Sequence, residues 1–372
     1  MKRIVVLVPE LLGVGGIQEA SRLTAQAAAA LASCYGWDLA VFSLNDPRGR
    51  HNLPLPCGGA IPFRGFGRAK ICFLLAALTA ARKTGGIILA AHPNLAVPAT
   101  WIRRIAPRLR VVTICHGVEV WNPISRRRRR ALAGSDLVLA PSRFTLEKLS
   151  AVQCAPLEKL RLLPWPLNPT FLAMAAQRTL PLPPGFPAGC VLLTVGRWAA
   201  SERYKGLDEL IRALAILRPA LQNLSLVAIG SGDDLARLRR MANELGLRDC
   251  VHFVERLSRD EIAACYAHAQ IFVLPSTGEG FGIVFLEAMA FAKPIVAAAF
   301  GGAKDLVEHD VNGLLIAPHD TAGLAQAIEA LVRDDALRAR LGSRGAEIVR
   351  ARYDFKSFQD RLEGLLQECG LE

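Results

Sequence analysis

Two carboxylates flank a glycine-rich turn in the stretch Ser276–Ala290, which reads STGEGFGIVFLEAMA. Glu279 lies just before the turn, and Glu287 lies eight positions later inside an apolar run. The pattern predicts a strand that ends at Pro275 and a helix that begins near Gly282. An element of the hydrophobic core does not need two acids there, so the pair is the first candidate for a functional site.

The turn between the two acids has the features of an anion-binding site. Gly280 and Gly282 allow a ligand to approach the backbone closely. The first amides of the following helix have no partner within the helix and lie at the positive end of its dipole, so the turn is suited to hold a phosphate. Glu287, about one and a half turns along the helix, would face the same pocket and accept hydrogen bonds from sugar hydroxyls.

Two cations occur upstream in VGRWAASERYKGLDEL, residues 195–210. Arg197 and Lys205 flank a polar loop between a predicted strand and a predicted helix. Two cations at the carboxyl end of a strand could neutralise a diphosphate. For either residue alone, ordinary solvation at the surface is the alternative.

Strand and helix patterns alternate along the chain, which predicts parallel sheets covered by helices on both faces. The predicted strands are Arg3–Val8, Asp38–Ser43, Gly86–Ala91, Arg110–Cys115, Asp136–Ala140, Arg161–Pro164, Cys190–Val195, Leu224–Ile229, Val251–Val254, Ile271–Leu274 and Pro294–Ala298. The predicted helices are Ile17–Ser33, Ala69–Arg82, Phe144–Ala151, Gly206–Leu217, Asp234–Leu245, Ser258–Ala267 and Gly282–Ala292. Such sheets bind ligands beyond the carboxyl ends of their strands, where both charged loops are predicted to lie.

The length and a proline-rich segment predict two domains. A chain of 372 residues exceeds one ordinary hydrophobic core, and LPLPPGFPAG at residues 180–189 has the composition of a stiff linker. We therefore expect Rossmann-like domains at residues 1–185 and 186–355. A C-terminal helix at residues 356–372 is expected to pack back toward the first domain.

Composition excludes several classes of protein. Hydrophobic residues are 52% and charged residues 21% of the chain, which is typical of a globular protein. No uncharged apolar run is long enough to span a bilayer, and the start of the chain reads as a strand rather than a signal peptide. The nine scattered cysteines include no CxxC pair, so we expect reduced thiols, no zinc site and a cytoplasmic location.

Three motifs of the second half resemble family 4 of the retaining glycosyltransferases. They are GR…K at Gly196–Lys205, FVLPSTGEGFGIVFLEAMAFAKPIVA from Phe272, and GGAKDLVEHDVNGLL from Gly301. In the first half, GVGGIQEASRL, which ends at Leu23, is similar to the family's N-terminal glycine loop, and ICHGVEVW, residues 114–121, to its histidine segment. The resemblance covers nearly all of the chain. It implies the GT-B fold, with two facing Rossmann-like domains and the donor site in the cleft between them.

The resemblance also implies site residues. The implied catalytic residues are Glu279, His116, Arg197 and Lys205. The implied donor-binding residues are Gly16, Arg197, Lys205, Arg256, Leu257, Glu279, Gly280, Phe281, Gly282, Ile283 and Glu287.

Their implied roles divide by chemical group. Arg197 and Lys205 would bind the donor diphosphate, together with backbone amides at Gly16 and Phe281–Ile283. Glu287 would bind the ribose. Glu279 would hold the hydroxyls of the transferred sugar, and His116 would contact that sugar from the opposite domain. The backbone of residues 255–257 would line the nucleobase.

The chain departs from the family pattern at two positions. Glu255 stands where the family often has glycine, so the base pocket could differ. Lys304 stands where the family often has proline, which changes the charge of that loop. Neither departure affects the two acids at 279 and 287 or the two cations at 197 and 205.

The resemblance implies retaining transfer of a hexose from a nucleotide sugar, of the UDP-glucose or GDP-mannose type, to a lipid-linked or glycan acceptor of a cell-surface polysaccharide. The sequence has no DxD triplet, so neither a metal nor another cofactor is expected. Two acids could also indicate a glycoside hydrolase, but their setting beside a phosphate-type turn makes that the weaker interpretation. A nucleotide-sugar epimerase, a phosphorylase, and a non-catalytic sugar-nucleotide-binding subunit remain alternatives.

Charge is divided unevenly between the two halves. Residues 1–185 have 24 Lys and Arg against 8 Asp and Glu, whereas residues 186–372 have 21 against 25. The run Arg126–Arg130 supplies five of the 24 cations in the basic half. A solvated helix face is the simpler interpretation of that run, but the whole half suggests an anionic partner. Without interleaved aromatics or a nucleic-acid motif, an anionic membrane surface or an anionic lipid-linked acceptor is favoured over nucleic acid.

Overall fold

The structure is a computed structural model that describes residues 2–55, 58–82, 85–177 and 180–370. The chain forms two compact units. The N-terminal unit comprises Met1–Pro166 and Phe355–Glu372, and the C-terminal unit comprises Leu167–Asp354.

Eight strands form the sheet of the N-terminal unit. They are β1 (Arg3–Val8), β2 (Asp38–Ser43), β3 (Gly49–Pro54), β4 (Ala60–Gly65), β5 (Gly86–Ala90), β6 (Leu109–Ile114), β7 (Leu137–Ala140) and β8 (Leu160–Leu162). Their order is β3-β4-β2-β1-β5-β6-β7-β8, and neighbours pair in parallel except β3 and β4. The six predicted strands are confirmed to within two residues at each end. The antiparallel hairpin β3–β4 was missed, because its glycines and prolines are typical of a loop.

Five helices connect these strands. They are α1 (Gly16–Cys34), α2 (Lys70–Arg82), α3 (Pro93–Ile105), α4 (Arg126–Gly134) and α5 (Arg143–Ala151). Side chains of α2 and α3 share one buried cluster with β1, β5 and β6, and α3, α4 and α5 share a second with β7. Sequence analysis missed α3, whose interior contains Pro98, and α4, whose five arginines give no apolar spacing.

Six parallel strands form the sheet of the C-terminal unit. They are β9 (Cys190–Val195), β10 (Leu224–Ile229), β11 (Val251–Val254), β12 (Ile271–Leu274), β13 (Ile295–Ala298) and β14 (Gly313–Ile316). Their order is β11-β10-β9-β12-β13-β14, which is the 3-2-1-4-5-6 arrangement of dinucleotide-binding sheets. The five predicted strands are confirmed, and β14, which follows the last of them, was missed.

Eight helices accompany this sheet. They are α6 (Pro169–Ala175), α7 (Leu207–Leu217), α8 (Leu235–Glu244), α9 (Arg259–His268), α10 (Ile283–Ala290), α11 (Ala303–Leu306), α12 (Thr321–Arg333) and α13 (Asp335–Arg352). Because α6 packs against α9 and α10, the chain enters this unit at Leu167. The expected boundary followed residue 185, and the proline-rich segment 180–189 lies inside the unit.

The last helix, α14 (Phe355–Gln367), belongs to the N-terminal unit. It packs against α1, where the Tyr35 hydroxyl donates to Glu363 Oε1 at 2.6 Å. Its Phe358 ring also lies 5.7 Å from the ring of Trp165. The end of the chain therefore completes the first unit.

Each sheet has a point where the strand order reverses. In the C-terminal unit the reversal lies between β9 and β12, and in the N-terminal unit it lies between β1 and β5. A crevice opens at the carboxyl ends of such strand pairs, because the connections leave toward opposite faces. Most of the predicted site residues follow these four strands or the strands beside them, whereas Arg256 and Leu257 follow β11 at the end of its sheet.

Candidate active site

Lys205 and Glu279 form a largely buried ion pair at the carboxyl edge of the C-terminal sheet. Lys205 Nζ lies 2.7 Å from Glu279 Oε1, and each side chain is 14% exposed. Lys205 ends the segment that follows β9, and Glu279 lies in the turn that follows β12. The two neighbouring strands thus bring together residues that are 74 positions apart in sequence.

The environment keeps Lys205 charged. Burial alone would lower the pKa of this amine, but the attraction and hydrogen bond of Glu279 outweigh it, so the pKa lies above its ordinary value. The ammonium also lies 5.6 Å from the centre of the Tyr204 ring. The site therefore contains a fixed positive charge in a partly desolvated position.

Arg197 reaches the same loop but is far more exposed. Its guanidinium pairs with Glu202, and its side chain is 71% exposed. Glu202 Oε2 also lies 4.0 Å from Lys205 Nζ, so this acid links the two predicted cations. Sequence analysis missed Glu202, although its position between the two cations was a usable signal.

A second network of ion pairs, centred on Asp234, holds the loop that follows β9. Arg203 and Arg237 both pair with Asp234, whose side chain is 6% exposed. Hydrogen bonds from Arg237 and then Arg203, with their positive charges, lower the pKa of Asp234 to about 2. The backbone amide of Asp234 also donates to Trp198 O at 3.0 Å. The turn after β10 therefore holds the loop after β9 in place.

The glycine turn adopts the predicted strand–turn–helix form. Gly282 caps α10 with a φ of 91°, a left-handed conformation that favours glycine. Gly302 packs closely on this turn, since a Cβ there would lie 2.5 Å from both Gly280 O and the Cα of Phe281. Its amide donates to Glu279 O at 2.8 Å. The first amides of α10 are therefore held at the same edge as Lys205.

Glu287 lies on the partly exposed side of α10, together with Ile283 and Val284. The hydroxyl of Tyr266 donates to Glu287 Oε2 at 2.9 Å. Tyr266 is fully buried, and burial followed by the charge of Glu287 raises its pKa well above the ordinary value. This tyrosine fixes the carboxylate, and no sequence motif had singled it out.

The predicted base-contacting residues follow β11. Arg256 has a φ of 59°, a left-handed conformation that favours glycine. This position is one residue after Glu255, the residue at which the sequence departs from the family pattern. Glu255 is exposed and pairs with Arg239 at 3.0 Å, while Leu257 is half-buried. The other departure, Lys304, is an exposed residue of α11.

Gly16 begins α1, directly after the loop that follows β1. Its amide is among the first of the helix, which no helical carbonyl accepts. Asp46 fixes the loop by accepting the amides of Leu11 and Leu12 at 2.7 and 3.1 Å. Arg22 donates to the carbonyl oxygens of the same loop.

His116 follows β6 in the N-terminal unit. Its Nε2 lies 2.8 Å from Ala91 O, and since a carbonyl only accepts, this nitrogen carries a hydrogen. The ring stacks on buried Trp165, with centroids 5.5 Å apart. Glu119 Oε1 accepts the backbone amide of His116 at 2.6 Å. The His116 ring is therefore fixed in both position and tautomer.

A second histidine lies beside it. The ring of His92, after β5, lies 5.7 Å from that of His116. His92 Nδ1 accepts the amide of Asn94, which caps α3. Burial first, and then electrostatic interaction with His116, lower the pKa of His92 to about 4. The geometry therefore places His92 at the reversal point of the N-terminal sheet.

The predicted site residues thus fall into two groups. Gly16 and His116 lie at the carboxyl edge of the N-terminal sheet. The other predicted residues lie at the carboxyl edge of the C-terminal sheet. Within the described ranges, no three His, Cys, Asp or Glu side chains are grouped as a metal site requires, and no helix is long and apolar enough to cross a membrane. All eight cysteines in those ranges are free thiols, and Cys57 lies outside the described residues.

Comparison with known proteins gives matches to both units. Residues 15–171 match the family described as Glycosyltransferase Family 4, and residues 190–348 match Glycosyl transferases group 1. A GDP-mannose-dependent alpha-(1-6)-phosphatidylinositol monomannoside mannosyltransferase from Mycobacterium tuberculosis is 29% identical over 281 residues, or 71% of each chain. A D-inositol 3-phosphate glycosyltransferase from Salinispora arenicola is 39% identical over 204 residues, which are 52% of this chain and 43% of that protein.

A solved structure extends the likeness to the whole fold. HepE from Anabaena, crystallised with UDP, superimposes with a TM-score of 0.74 at 21% identity, over 99% of this chain and 100% of that chain. The two family matches follow each other along the chain, and each covers most of one Rossmann-like sheet. The chain therefore has the GT-B fold and belongs to the family 4, or group 1, glycosyltransferases.

Proposed function

We propose that this glycosyltransferase is a retaining, metal-independent hexosyltransferase that acts in the biosynthesis of a cell-surface polysaccharide. It would take a hexose from a donor of the UDP-glucose or GDP-mannose type and transfer it to a lipid-linked or glycan acceptor. The observation that carries the proposal is the Lys205–Glu279 pair at the reversal point of the C-terminal sheet. It sets a cation and a carboxylate where such a sheet binds its ligand.

The diphosphate of the donor would lie against the cations of this edge. Lys205 and Arg197, together with the first amides of α10, would stabilise the charge that grows on the leaving diphosphate. Fixed cations and amides can do this without a metal, because they are already oriented before the reaction. Gly16 would add a backbone amide from α1.

The remaining donor contacts follow from the side chains at the same edge. Glu287, fixed by Tyr266, would accept hydrogen bonds from the ribose hydroxyls. Glu279 would hold hydroxyls of the transferred sugar, and His116 would contact that sugar. The backbone at Arg256 and Leu257 would line the nucleobase.

We propose transfer in a single displacement, in which retention requires attack on the face from which the leaving group departs. The bond between the anomeric carbon and the phosphate oxygen breaks, and the acceptor oxygen bonds to the same carbon from the same side. The hydroxyl proton of the acceptor passes to the departing phosphate oxygen. The step balances with the donor and the acceptor alone, and no oxidant or further reactant is needed.

The relatives support the choice of donors. The mycobacterial relative is named as GDP-mannose-dependent, and HepE was also crystallised with UDP-glucose. We therefore propose these two nucleotide sugars as the first to test. A thermal-shift panel of UDP-, GDP- and ADP-sugars would rank them, because a ligand at 100 times its dissociation constant stabilises a protein by about 2.7 kcal/mol.

The reaction itself is tested by product analysis. We expect transfer of the hexose in the presence of EDTA, and an α-linked product from an α-linked donor in proton NMR spectra. Formation of free sugar only, dependence on orthophosphate, or a changed sugar epimer would instead support the phosphorylase or epimerase alternatives. Donor binding without any turnover would support a non-catalytic subunit.

We further propose that the N-terminal unit binds the cytoplasmic face of an anionic membrane. Four of the five arginines of α4 are exposed, and they occupy the end of a helix at which positive charge is unfavourable. Trp101 on α3, which packs against α4, is 43% exposed, and Ile71 and Leu75 on α2, which packs against α3, are 75% and 55% exposed. Cations beside such side chains suit a lipid surface.

Vesicle sedimentation tests this surface. The protein should bind vesicles that contain phosphatidylglycerol and ignore pure phosphatidylcholine, and binding should weaken as salt rises. Replacing Arg126–Arg130 with glutamine should reduce binding without changing donor affinity. A charge-matched control replaces five exposed arginines of the other unit: Arg212, Arg240, Arg248, Arg333 and Arg350. Equal binding by the two variants would contradict the proposal.

A further inference from the structure

A cavity of about 430 Å³ lies at the hairpin β3–β4, away from every predicted site residue. Three arginines line it, Arg48, Arg50 and Arg64, around a floor formed by Phe66. Its volume is within the range of small-molecule sites. Sequence analysis missed both strands of the hairpin and therefore this cavity as well.

The arginines have no acidic partner within the part of the chain that the structure describes. Arg50 and Arg64 lie directly opposite each other in the antiparallel register, an arrangement in which like charges repel. The nearest acid in sequence, Asp46, is 1% exposed, and its oxygens accept two backbone amides and the Ser43 hydroxyl. The hairpin therefore carries an uncompensated positive charge that an anion would neutralise.

The backbone leaves room for such an anion. Gly49 and Gly65, which also line the cavity, form the next pair of the hairpin, so no side chains fill the space beside the arginines. Gly65 cannot be replaced easily, since a Cβ there would lie 2.1 Å from Pro47 O. The Arg64 guanidinium lies 5.0 Å from the centre of the Phe66 ring, which supports the planar group from below.

The cavity lies at the carboxyl edge of the N-terminal sheet, which is the edge where sheets of this type bind ligands. β4 is parallel to β2, so Arg64 and Gly65 lie at the carboxyl edge of the N-terminal sheet. β3 runs the other way, so its first residues, Gly49 and Arg50, lie at the same edge. His92 and His116 follow β5 and β6 at that edge too.

We propose that this cavity binds a phosphate group carried by the acceptor. A guanidinium group can bind two phosphate oxygens at once through two parallel hydrogen bonds. Three such cations match the double negative charge of a phosphate better than the single charge of a carboxylate. That the phosphate belongs to the acceptor rests on the proposed function. The binding of phosphate at Arg48, Arg50 and Arg64 does not, so the two can fail separately.

Cys72 gives a local probe of this cavity. It lines the cavity and is an exposed free thiol, as are Cys34 and Cys154 elsewhere. The full chain is labelled with N-ethylmaleimide at constant ionic strength, and the labelling rate of each thiol is measured by peptide mass spectrometry. Inorganic phosphate and glycerol 1-phosphate form one arm, and phosphatidylglycerol in phosphatidylcholine vesicles forms the other.

Phosphate should slow the labelling of Cys72 at least about threefold and leave Cys34 and Cys154 unchanged. In R50Q/R64Q the midpoint for this protection should rise at least about tenfold, since each lost charged hydrogen bond is worth that much or more. The control R104Q/R108Q removes two exposed arginines near the opposite edge of the sheet and should behave as the unmodified protein. Protection by the soluble phosphates indicates a soluble acceptor, and protection by vesicles alone indicates a lipid headgroup.

Two results would overturn the proposal. One is labelling of Cys72 at the same rate in every arm, and the other is protection that survives unchanged in R50Q/R64Q. Because both arginines are exposed, the variant should fold with an unchanged or raised Tm. Donor titration of the same samples tests the proposed function independently, since R50Q/R64Q should bind the nucleotide sugar normally.

Discussion

The carboxyl edges of the two sheets differ in how they treat charge, although both sheets reverse their strand order in the same way. At the C-terminal edge the cations are paired within the chain, as Lys205 is with Glu279. At the N-terminal edge Arg50 and Arg64 lie opposite each other without an acid in the described residues, and His92 is held neutral by its surroundings.

The difference follows from what each edge has to stabilise. Charge that appears only during a reaction is best met by groups that are already fixed, and internal ion pairs fix them. A ligand that is charged before and after the reaction needs a site that lacks its own counter-ions. Under the proposed function, the growing charge of the leaving diphosphate would be stabilised at the C-terminal edge, and a permanent phosphate would bind at the N-terminal edge.

The strongest test of the paired edge is Lys205→Ala. We expect the rate of transfer to fall roughly 100-fold or more, as on loss of one fixed donor to a developing charge. Arg333→Ala is a matched control, because it breaks the exposed Arg333–Glu329 pair of the same unit. Steady-state kinetics, with circular dichroism to confirm folding, would measure both. A normal rate for Lys205→Ala would show that the pair only stabilises the loop.

Glu287→Ala should weaken donor binding by roughly 10- to 100-fold, because the ribose would lose a charged acceptor. Isothermal titration with the nucleotide sugar measures this effect. Tyr266→Phe keeps the carboxylate and removes only its 2.9 Å hydrogen bond, so its effect should be several-fold smaller. Unchanged affinity in a folded Glu287→Ala protein would remove the ribose assignment.

Much of the C-terminal edge could be predicted from sequence because its charges lie within short, regular motifs. Lys205 and Glu279 each follow a strongly apolar strand, and the neighbouring strands then bring them together. Tyr266 and Asp234 could not be found in this way. Their partners lie 21 and 31 positions away, and those contacts depend on how the helices pack and where the turns end.

The N-terminal edge was harder to predict for a physical reason. β3 and β4 form an edge hairpin with exposed residues at alternate positions, so neither has the apolar run of a central strand. Arg50 and Arg64 become neighbours only through the register of that hairpin. The sequence showed that this half was basic, but it did not show which arginines share a cavity.

His92→Asn tests whether burial at the N-terminal edge keeps the His92 side chain neutral. The pKa of His92 is about 4 in the folded chain, whereas an ordinary histidine has 6.5, so the unfolded chain binds more protons between these values. Stability should therefore fall as pH is lowered from about 6.5 to 4, by roughly 2 kcal/mol, and His92 should contribute no such change above 6.5. Asparagine keeps the cap of α3 and does not titrate, so the variant should lose less stability in this range.

The control is His309→Asn. His309 also accepts a backbone amide through Nδ1, at 3.1 Å from the nitrogen of Leu315, but it is exposed. Chemical denaturation at several pH values between 4 and 8 would compare the two variants with the unmodified chain. If His92→Asn and His309→Asn lose stability equally on acidification, protonation of the partly buried His92 is not the cause of the loss.

Lys293 is a cation of the C-terminal unit that differs from Lys205 in having no acidic partner among the described residues. Its replacement is expected to have the smallest effect, an effect on thermal stability. It donates to Ala267 O at 2.8 Å, and burial lowers its pKa to about 8, with no acid near it in the described residues. Because the ordinary lysine pKa is 10.5, the unfolded chain binds more protons between pH 8 and 10.5, and the native state gains stability as pH rises through that window. Lys293→Met should therefore raise Tm by about 2–4 °C below pH 8, and the gain should shrink toward pH 10.5. Lys304→Met, at an exposed lysine of the same unit, should show no such dependence, and a gain for Lys293→Met that is constant with pH would mean that packing rather than charge is responsible.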